Sequence, residues 1–490
     1  MNVAAATTNR DNTGMTSIPP NPHANAQLAQ FREILGPAHV LTGADAAPFC
    51  TDWRRAYTGE ALAVLRPAST EEVSRCVALC AEHGLAIVPQ SGNTSLVGGS
   101  VPLSQTNKRP EVVISLSRMQ RIRELDALND TMTVEAGCVL QTLQEAADAA
   151  DRLFPLSLAA EGSCQIGGNL STNAGGVGVL RYGNTRDLCL GLEVVLPDGQ
   201  IWHGLKGLRK NNTGYDLKHL FIGAEGTLGI ITAAVMKLFP KPSASVTAWI
   251  ALESPQAAVE LLAALRARMG DRLTAFELIS RVCLTSVMAF RPGTPDPLSQ
   301  PYHWYVLAEA TDGGTQEALM ARTESALSEC IDAGLIHDVA LASSTAQAQA
   351  LWNIRETIPE AQFSNVKHDI SVPISCIGQL VDEGMDVLRQ AFPSCVGYIF
   401  GHIGDGNLHY NIGMPSTEET QALIARRAEV NAVLYAVVEK LNGSISAEHG
   451  LGQLKREEIQ HHKSALELTL MKQIKAALDP NARMNPGKVL

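Results

Sequence analysis

From residue 60 onward, apolar and polar positions switch between a two-residue and a 3.6-residue repeat. ALAVLRP and AIVPQSG are short apolar runs ending in turn formers, and are expected to be strands. Between them EEVSRCVALCAEHG reads as an amphipathic helix holding Cys76 and Cys80, opened by a capping box of Ser69 and Glu72. EVVISLSRM and MTVEAG are expected as further strands, and VLQTLQEAADAAD as a helix. LEVVLPDGQIW is expected to be a hairpin turning at Pro-Asp-Gly. GIITAAVMKLFPKP closes this half, with Pro-Lys-Pro after Phe239 as a domain boundary. A second half opens with AWIALES as strand and PQAAVELLAALRARMG as helix, and KSALELTLMKQIKAALD forms a terminal helix. The pattern predicts an α+β protein of two main domains.

The totals narrow the class. A chain of 490 residues with 45% hydrophobic and 18% charged positions is ordinary for a globular protein. The net charge of −11 argues against a nucleic-acid partner, which would need a basic face. No apolar run approaches the ~20 residues of a membrane span. The first 28 residues are polar, lack a signal-type apolar core, and are expected to be a flexible tail. None of the ten cysteines forms a CxxC pair, which fits buried thiols in a reducing, cytoplasmic setting.

Forty glycines fall in sharp clusters. PQSGNTSLVGGS, residues 89–100, follows a strand and lacks both the Walker lysine and the Rossmann spacing. Alone it is equally readable as an anion-binding nest or a tight loop. AAEGSCQIGGNLSTNAGGVG, 159–178, and NNTGYDLKHLFIGAEGTLGIIT, 211–232, add two more clusters. Three in one domain suit a dinucleotide-sized ligand. Their order resembles the FAD-binding domain of the vanillyl-alcohol oxidase and p-cresol methylhydroxylase superfamily, over roughly residues 60 to 242. The resemblance implies flavin contacts in the first loop at Pro89, Ser91, Gly92, Asn93, Thr94, Ser95 and Gly98. It implies others at Ser163, Ile166, Gly167, Gly168, Asn173, Gly175, Gly229, Ile231 and Asn485. Covalent members carry a flavin-linked histidine in the first loop; Asn93 stands there, so the FAD is expected to be non-covalent.

FGHIGDGNLHYN, residues 400–411, reads as two strands joined by GDGN. A loop from Gly404 to Asn407 sets His402 opposite His409, and Phe400 opposite Asn411. Opposed Cβ atoms lie ~4.5–5.5 Å apart, close enough for two imidazoles to share a metal or simply to stack. Ser416 and Glu419 cap a helix bearing Leu423, Val430, Leu434 and Val437, which is expected to end with Gly443 at C′. The chain then returns through AEHG, where Glu448 and His449 on a turn either enter one site or stay exposed.

Taken together, GHxGDGNLH, EHGxG and the terminal NPGK resemble FAD-linked D-2-hydroxyacid dehydrogenases over about residues 60 to 490. The resemblance implies zinc on His402, His409 and Glu448, His449 as general base, and Asn411 as a substrate contact. In LWNIRETIPEAQ and NVKHDISVP it implies Arg355 and Lys367 as carboxylate ligands. Pro359 stands where family members acting on hydroxyglutarate can carry a threonine, which leaves the substrate's length open. The implied fold is a two-part FAD-binding domain at 29–242, a substrate or cap domain with the metal site at 243–455, and a C-terminal helix and tail at 456–490 returning to the FAD domain. The implied reaction is oxidation of a D-2-hydroxyacid, D-2-hydroxyglutarate first and D-lactate or glycolate next. An electron-transferring flavoprotein, a quinone or a cytochrome would accept the electrons. Two rivals stand beside it: a transferase resembling alkyl-dihydroxyacetonephosphate synthase, and a non-catalytic electron-relay subunit. The oligomeric state is left open, a homodimer being one option.

Overall fold

The computed structural model describes residues 24–103, 109–362 and 364–490. Of the expected N-terminal tail, residues 1–23 lie outside the described residues, while the remainder opens the helix Ala24–Leu35. The first sheet holds β1 (Val40–Leu41), β2 (Ala63–Leu65), β3 (Ala86–Gln90) and β4 (Glu111–Ser115) in the order β1-β2-β4-β3. Its three inner pairings include two parallel ones, β2 with β4 and β3 with β4. Parallel strands are covered on both faces, which is why these read as continuous apolar runs rather than alternating ones. The helix Thr70–Glu82 crosses between β2 and β3 and buries Val73, Cys76, Val77 and Cys80. Its cap is only half the expected box: Ser69 Oγ accepts from Glu72 N–H, but the Glu72 carboxylate reaches past Ser69 to Ala68 N–H.

The second sheet is antiparallel, with β5 (Ile122–Asp126), β6 (Thr131–Glu135), β8 (Cys189–Val195), β9 (Ile201–Gly204) and β10 (Ile230–Lys237) in the order β5-β6-β10-β8-β9. A two-stranded ribbon pairs β7 (Arg152–Leu153) with β11 (Phe239–Pro240). The Pro-Asp-Gly hairpin forms between β8 and β9, with Gly199 at φ +92° closing the turn. No described helix is long and apolar enough to cross a membrane. All ten cysteines are free, and all but the half-buried Cys376 are buried.

A seven-stranded antiparallel sheet occupies residues 244–413. It contains β12 (Ala244–Leu252), β13 (Leu273–Ser280), β14 (Trp304–Asp312), β15 (Asp338–Leu341), β16 (Asp369–Ser371), β17 (Val396–His402) and β18 (Asn407–Gly413), ordered β15-β12-β14-β13-β17-β18-β16. Side chains alternate between its faces. Ile250, Leu278, Val306 and Ile399 join a core under the helices Pro255–Met269, Gln316–Asp332 and Ile377–Ala391. Trp249, Ile279, Tyr305 and Phe400 join the opposite core, under Arg281–Phe290 and Thr345–Ala361.

The structure corrects three local expectations. The hairpin register is shifted by two residues: Phe400, not His402, lies opposite His409, and Tyr398 lies opposite Asn411. The turn carries successive bonds, Asp405 N–H to His402 O and Gly406 N–H to Ile403 O, and it swallows the buried Ile403. Gly401 is required there, because a Cβ would sit 2.8 Å from Asn407 O. A two-residue slip preserves the face, so both histidines still point the same way. The capping box of Ser416 and Glu419 forms as expected, but the helix breaks at Arg426 into Thr417–Ala425 and Arg427–Lys440. At its end Asn442, at φ +55°, takes the left-handed position expected of Gly443. Gly443 is needed instead for close packing, since its Cβ would meet Ser371 O at 2.4 Å.

Candidate active site

Strand parity assembles the site. On β13, Glu277 shares the face of Ile279, and it pairs directly with His402 on β17. His409 on β18 lies opposite Phe400 and also opposite Asp369 on β16. One face of the sheet therefore carries Glu277, His402, His409, Asp369 and Asn411 in adjacent rows. The helix Thr345–Ala361, packed on that same face, supplies Arg355.

Glu277 organises the group. Its buried carboxylate accepts from His402 Nδ1 at 2.6 Å and from Arg355 Nε at 2.8 Å. That leaves His402 Nε2 turned to Glu448, 3.3 Å from Oε1, while His409 Nε2 lies 3.9 Å from Oε2. Ligand atoms of His402, His409 and Glu448 are all within 4.8 Å of one another. A tetrahedral ion with ~2.0–2.2 Å bonds needs donors ~3.4 Å apart, so a contraction of at most about 1.4 Å at the widest pair would bring the three to that spacing. Burial works against a charge on His402, but Glu277 and Glu448 outweigh it and raise its pKa to about 10. His409 is lowered to about 4, chiefly by burial, and is neutral as a ligand must be. Burial opposes ionisation of Glu277 as well, yet His402 and Arg355 bring it down to about 2. A pair of carboxylates that holds an extra proton on the imidazole between them has the charge balance of a cation site. A buried carboxylate on the far nitrogen of a ligand histidine is also the usual way of fixing its tautomer.

Asp369 does the same for the returning turn. It is 3% exposed, and Oδ2 accepts from Glu448 N–H and His449 N–H, both at 2.9 Å. Oδ1 accepts from Asn407 Nδ2, and Oδ2 lies 3.4 Å from His449 Nδ1. Burial alone would raise this carboxyl; His449, Lys455, His409 and the Glu448 amide hold it well below the usual range. Both residues of the AEHG turn therefore enter the site, with His449 stacked beside His409. Neither Glu277 nor Asp369 stood out in the sequence. The available signal was a lone acid at an inward position of a buried strand, in FELIS and HDIS.

A cavity of about 660 Å³ connects this group to the glycine clusters, a volume in the range of ligand sites. Arg355, Lys367, Asn411, His402, His409, Glu448 and His449 all line it. So do Pro89, Ser91, Gly92, Asn93, Thr94 and Ser95 of the first loop, and Gly167, Gly168, Gly175, Gly229 and Ile231 beyond it. The remaining expected flavin contacts lie behind these walls. Gly98 packs on the Tyr57 ring, Ile166 is fully buried at the start of Ile166–Thr172, and Ser163 bonds Ala160 O. Asn173 ends that helix at φ +51° and accepts from Arg186 N–H. Asn485 donates to Gly99 O and Glu225 O, tying the C-terminus to two glycine loops. Asn93 donates to Thr51 O and accepts from Ser100 Oγ, so its side chain is spent on bracing the loop. Gln165 Oε1, buried and in the cavity wall, has no hydrogen-bond partner among the described residues. An orphaned acceptor costs about 1–3 kcal/mol unless a ligand supplies a donor. Backbone-lined walls and an unmet acceptor fit an extended polar ligand such as a dinucleotide.

Two protein-family models match the chain: the FAD binding domain over residues 61–204, and the FAD linked oxidases, C-terminal domain, over 241–489. The chain belongs to the FAD-linked oxidase family. Among curated relatives of this family, it is 42% identical over 94% of its length to a probable mitochondrial D-2-hydroxyglutarate dehydrogenase of Oryza sativa subsp. indica, covering 81% of that protein. It is 38% identical over 91% of its length to the D-2-hydroxyglutarate dehydrogenase of Xanthomonas citri pv. viticola, covering 93% of it. Among solved structures, p-cresol methylhydroxylase with substrate bound superposes with a TM-score of 0.74 at 19% identity, over 95% of this chain and 96% of that one. That likeness shows the flavoprotein fold of the family, as the three glycine clusters implied.

Proposed function

We propose that this FAD-linked oxidase oxidises a D-2-hydroxyacid, D-2-hydroxyglutarate foremost, to the 2-oxoacid at a site that also holds a divalent metal, zinc first. The observation that carries the reading is one cavity shared by the glycine-lined walls and by Arg355, Lys367, His402, His409, Glu448 and His449. The names of relatives at 42% and 38% identity support the choice of acid. Asn93, committed to the loop, supports FAD held without a covalent bond.

Oxidation removes the hydroxyl proton and the C2 hydrogen with its electron pair. When bound, the flavin would supply the two-electron acceptor and a metal on His402, His409 and Glu448 the Lewis acidity that makes the hydroxyl more acidic. The chain's own part is positioning and proton removal. Arg355 is held by Glu277 through Nε and lies over the Phe400 ring at 4.8 Å, so its terminal nitrogens can meet a substrate carboxylate. Lys367 adds a second cation, and Asn411, braced by Gln362 and His368 N–H, a polar contact. With His449 Nδ1 beside Asp369, Nε2 is the nitrogen left to take the hydroxyl proton. Reoxidation by a non-nicotinamide acceptor, an electron-transferring flavoprotein, quinone or cytochrome, completes the cycle.

A dye-coupled panel tests the substrate. D-2-Hydroxyglutarate should give the highest kcat/KM, ahead of D-lactate, with the L-acids inert; preference for L-acids or for neutral alcohols would refute the reading. A second expectation concerns Glu277→Gln, which removes the acceptor that fixes His402. Zinc affinity measured by chelator competition should fall ~10–100-fold, as for other lost partners behind a ligand. Unchanged affinity would separate Glu277 from the metal site.

A further inference from the structure

One cation in the cavity wall has no part in the site described so far. Arg54 stands on a short loop of the flavin-side domain, closed by a bridge between Thr51 and Thr58. The buried Asp52 carboxylate accepts from Arg54 N–H at 3.3 Å and Tyr57 N–H at 2.7 Å, and Arg55 turns the chain at φ +56°. Thr51 O accepts from Asn93, so this loop is fastened to the first glycine loop. It delivers the Arg54 side chain into the wall that also carries Lys367 and Arg355.

The three cations differ in how far their charge is already met. Arg355 is ion-paired to Glu277. Among the described residues, the Arg54 guanidinium makes no hydrogen bond or ion pair. The acid of its own loop, Asp52, has both oxygens on backbone N–H groups of that loop. The exposed Arg427 acts on Arg54, and Arg54 on Lys367, as like charges, while Asp52 acts favourably on Arg54. Burial and Arg54 lower Lys367 to about 8, and burial with Arg427 lowers Arg54. On the helix facing Lys367, Pro359 offers no hydroxyl and presents its carbonyl to Lys367 Nζ at 3.3 Å. An unpaired guanidinium, that of Arg54, thus lines the same cavity as Lys367 and the Glu277-paired Arg355.

We propose that Arg54, acting from the flavin-side domain on the cavity that Lys367 also lines, binds the second carboxylate of a dicarboxylic 2-hydroxyacid and so sets preference for dicarboxylates over D-lactate. This rests on the function proposed above and adds a specificity residue to it. A guanidinium can present two parallel N–H groups to a carboxylate, whereas lysine supplies only a point charge. The pairing also spans the two domains, so a dicarboxylate bridges them where a monocarboxylate does not.

The test compares wild type with Arg54→Met, which keeps length and removes charge, and with Arg54→Lys, all as flavin-loaded protein. A charged hydrogen bond of this kind is worth roughly 10- to 150-fold. In Arg54→Met the ratio of kcat/KM for D-2-hydroxyglutarate to that for D-lactate should fall by at least about 10-fold, through KM rather than kcat. Arg54→Lys should recover part of it. Glutarate, which has no hydroxyl to oxidise, gives an independent reading: its Kd by calorimetry should rise by a similar factor. Equal losses for both hydroxyacids, or an unchanged glutarate Kd, would overturn the proposal. A wild-type protein that binds glutarate in an Arg54-dependent way but oxidises no D-2-hydroxyacid would instead remove the function reading and keep the carboxylate site.

Discussion

Replacing His449 with alanine is expected to lower the rate of flavin reduction by D-2-hydroxyglutarate about 10²–10⁴-fold, the usual worth of a positioned general base. Flavin and metal content should stay at wild-type levels. The side chain of His449 lines the cavity, whereas Glu448 and His409 beside it supply the donor atoms. The turn itself is held by Asp369 through the amides of residues 448 and 449, which alanine retains. Loss of rate without loss of cofactors therefore separates proton transfer from scaffolding. Undiminished reduction in the variant would take the base role from His449.

Removal of the metal should have an effect at least as large. Dialysis against EDTA is expected to abolish turnover, and stoichiometric zinc to restore it. Three donors from two strands and a turn converge within 4.8 Å, and two of them, the buried His402 imidazole and the half-buried Glu448 carboxylate, already lie 3.3 Å apart. Behind them Glu277 holds His402 in the tautomer that leaves Nε2 outward. Such a set has little use as a salt-bridge network alone, because a charge withdrawn from water, as on His402, costs several kcal/mol. Activity indifferent to both chelator and zinc would contradict the assignment.

The hairpin and its turn were legible in the sequence because their signals are local. GDGN marks a turn, alternate positions on a strand share a face, and Asn-Gly or Ser-x-x-Glu pairs punctuate helices. The register was not legible, since the buried Ile403 folds into the turn and shifts pairing by two residues. Parity protected the conclusion from that error: His402 and His409 stay on one face at either register. Glu277, Asp369 and Arg54 were illegible for a different reason. Each takes its meaning from residues far along the chain: Glu277 from His402, 125 positions away, and Asp369 from the turn 79 and 80 positions on. A single acid in a buried strand shows no partner in the sequence. Arg54 sits on a polar loop that resembles any exposed turn until Asn93 and Lys367 are placed around it.

The central claim is that the flavin-side cavity and the histidine-carboxylate group form one oxidation site. Anaerobic stopped-flow mixing of the purified, FAD-loaded chain with D-2-hydroxyglutarate tests it most directly. The account predicts bleaching of the oxidised flavin band with one equivalent of 2-oxoglutarate formed, and no bleaching by the L enantiomer. A flavin left oxidised by every D-2-hydroxyacid, or bleached equally by both enantiomers, would contradict it.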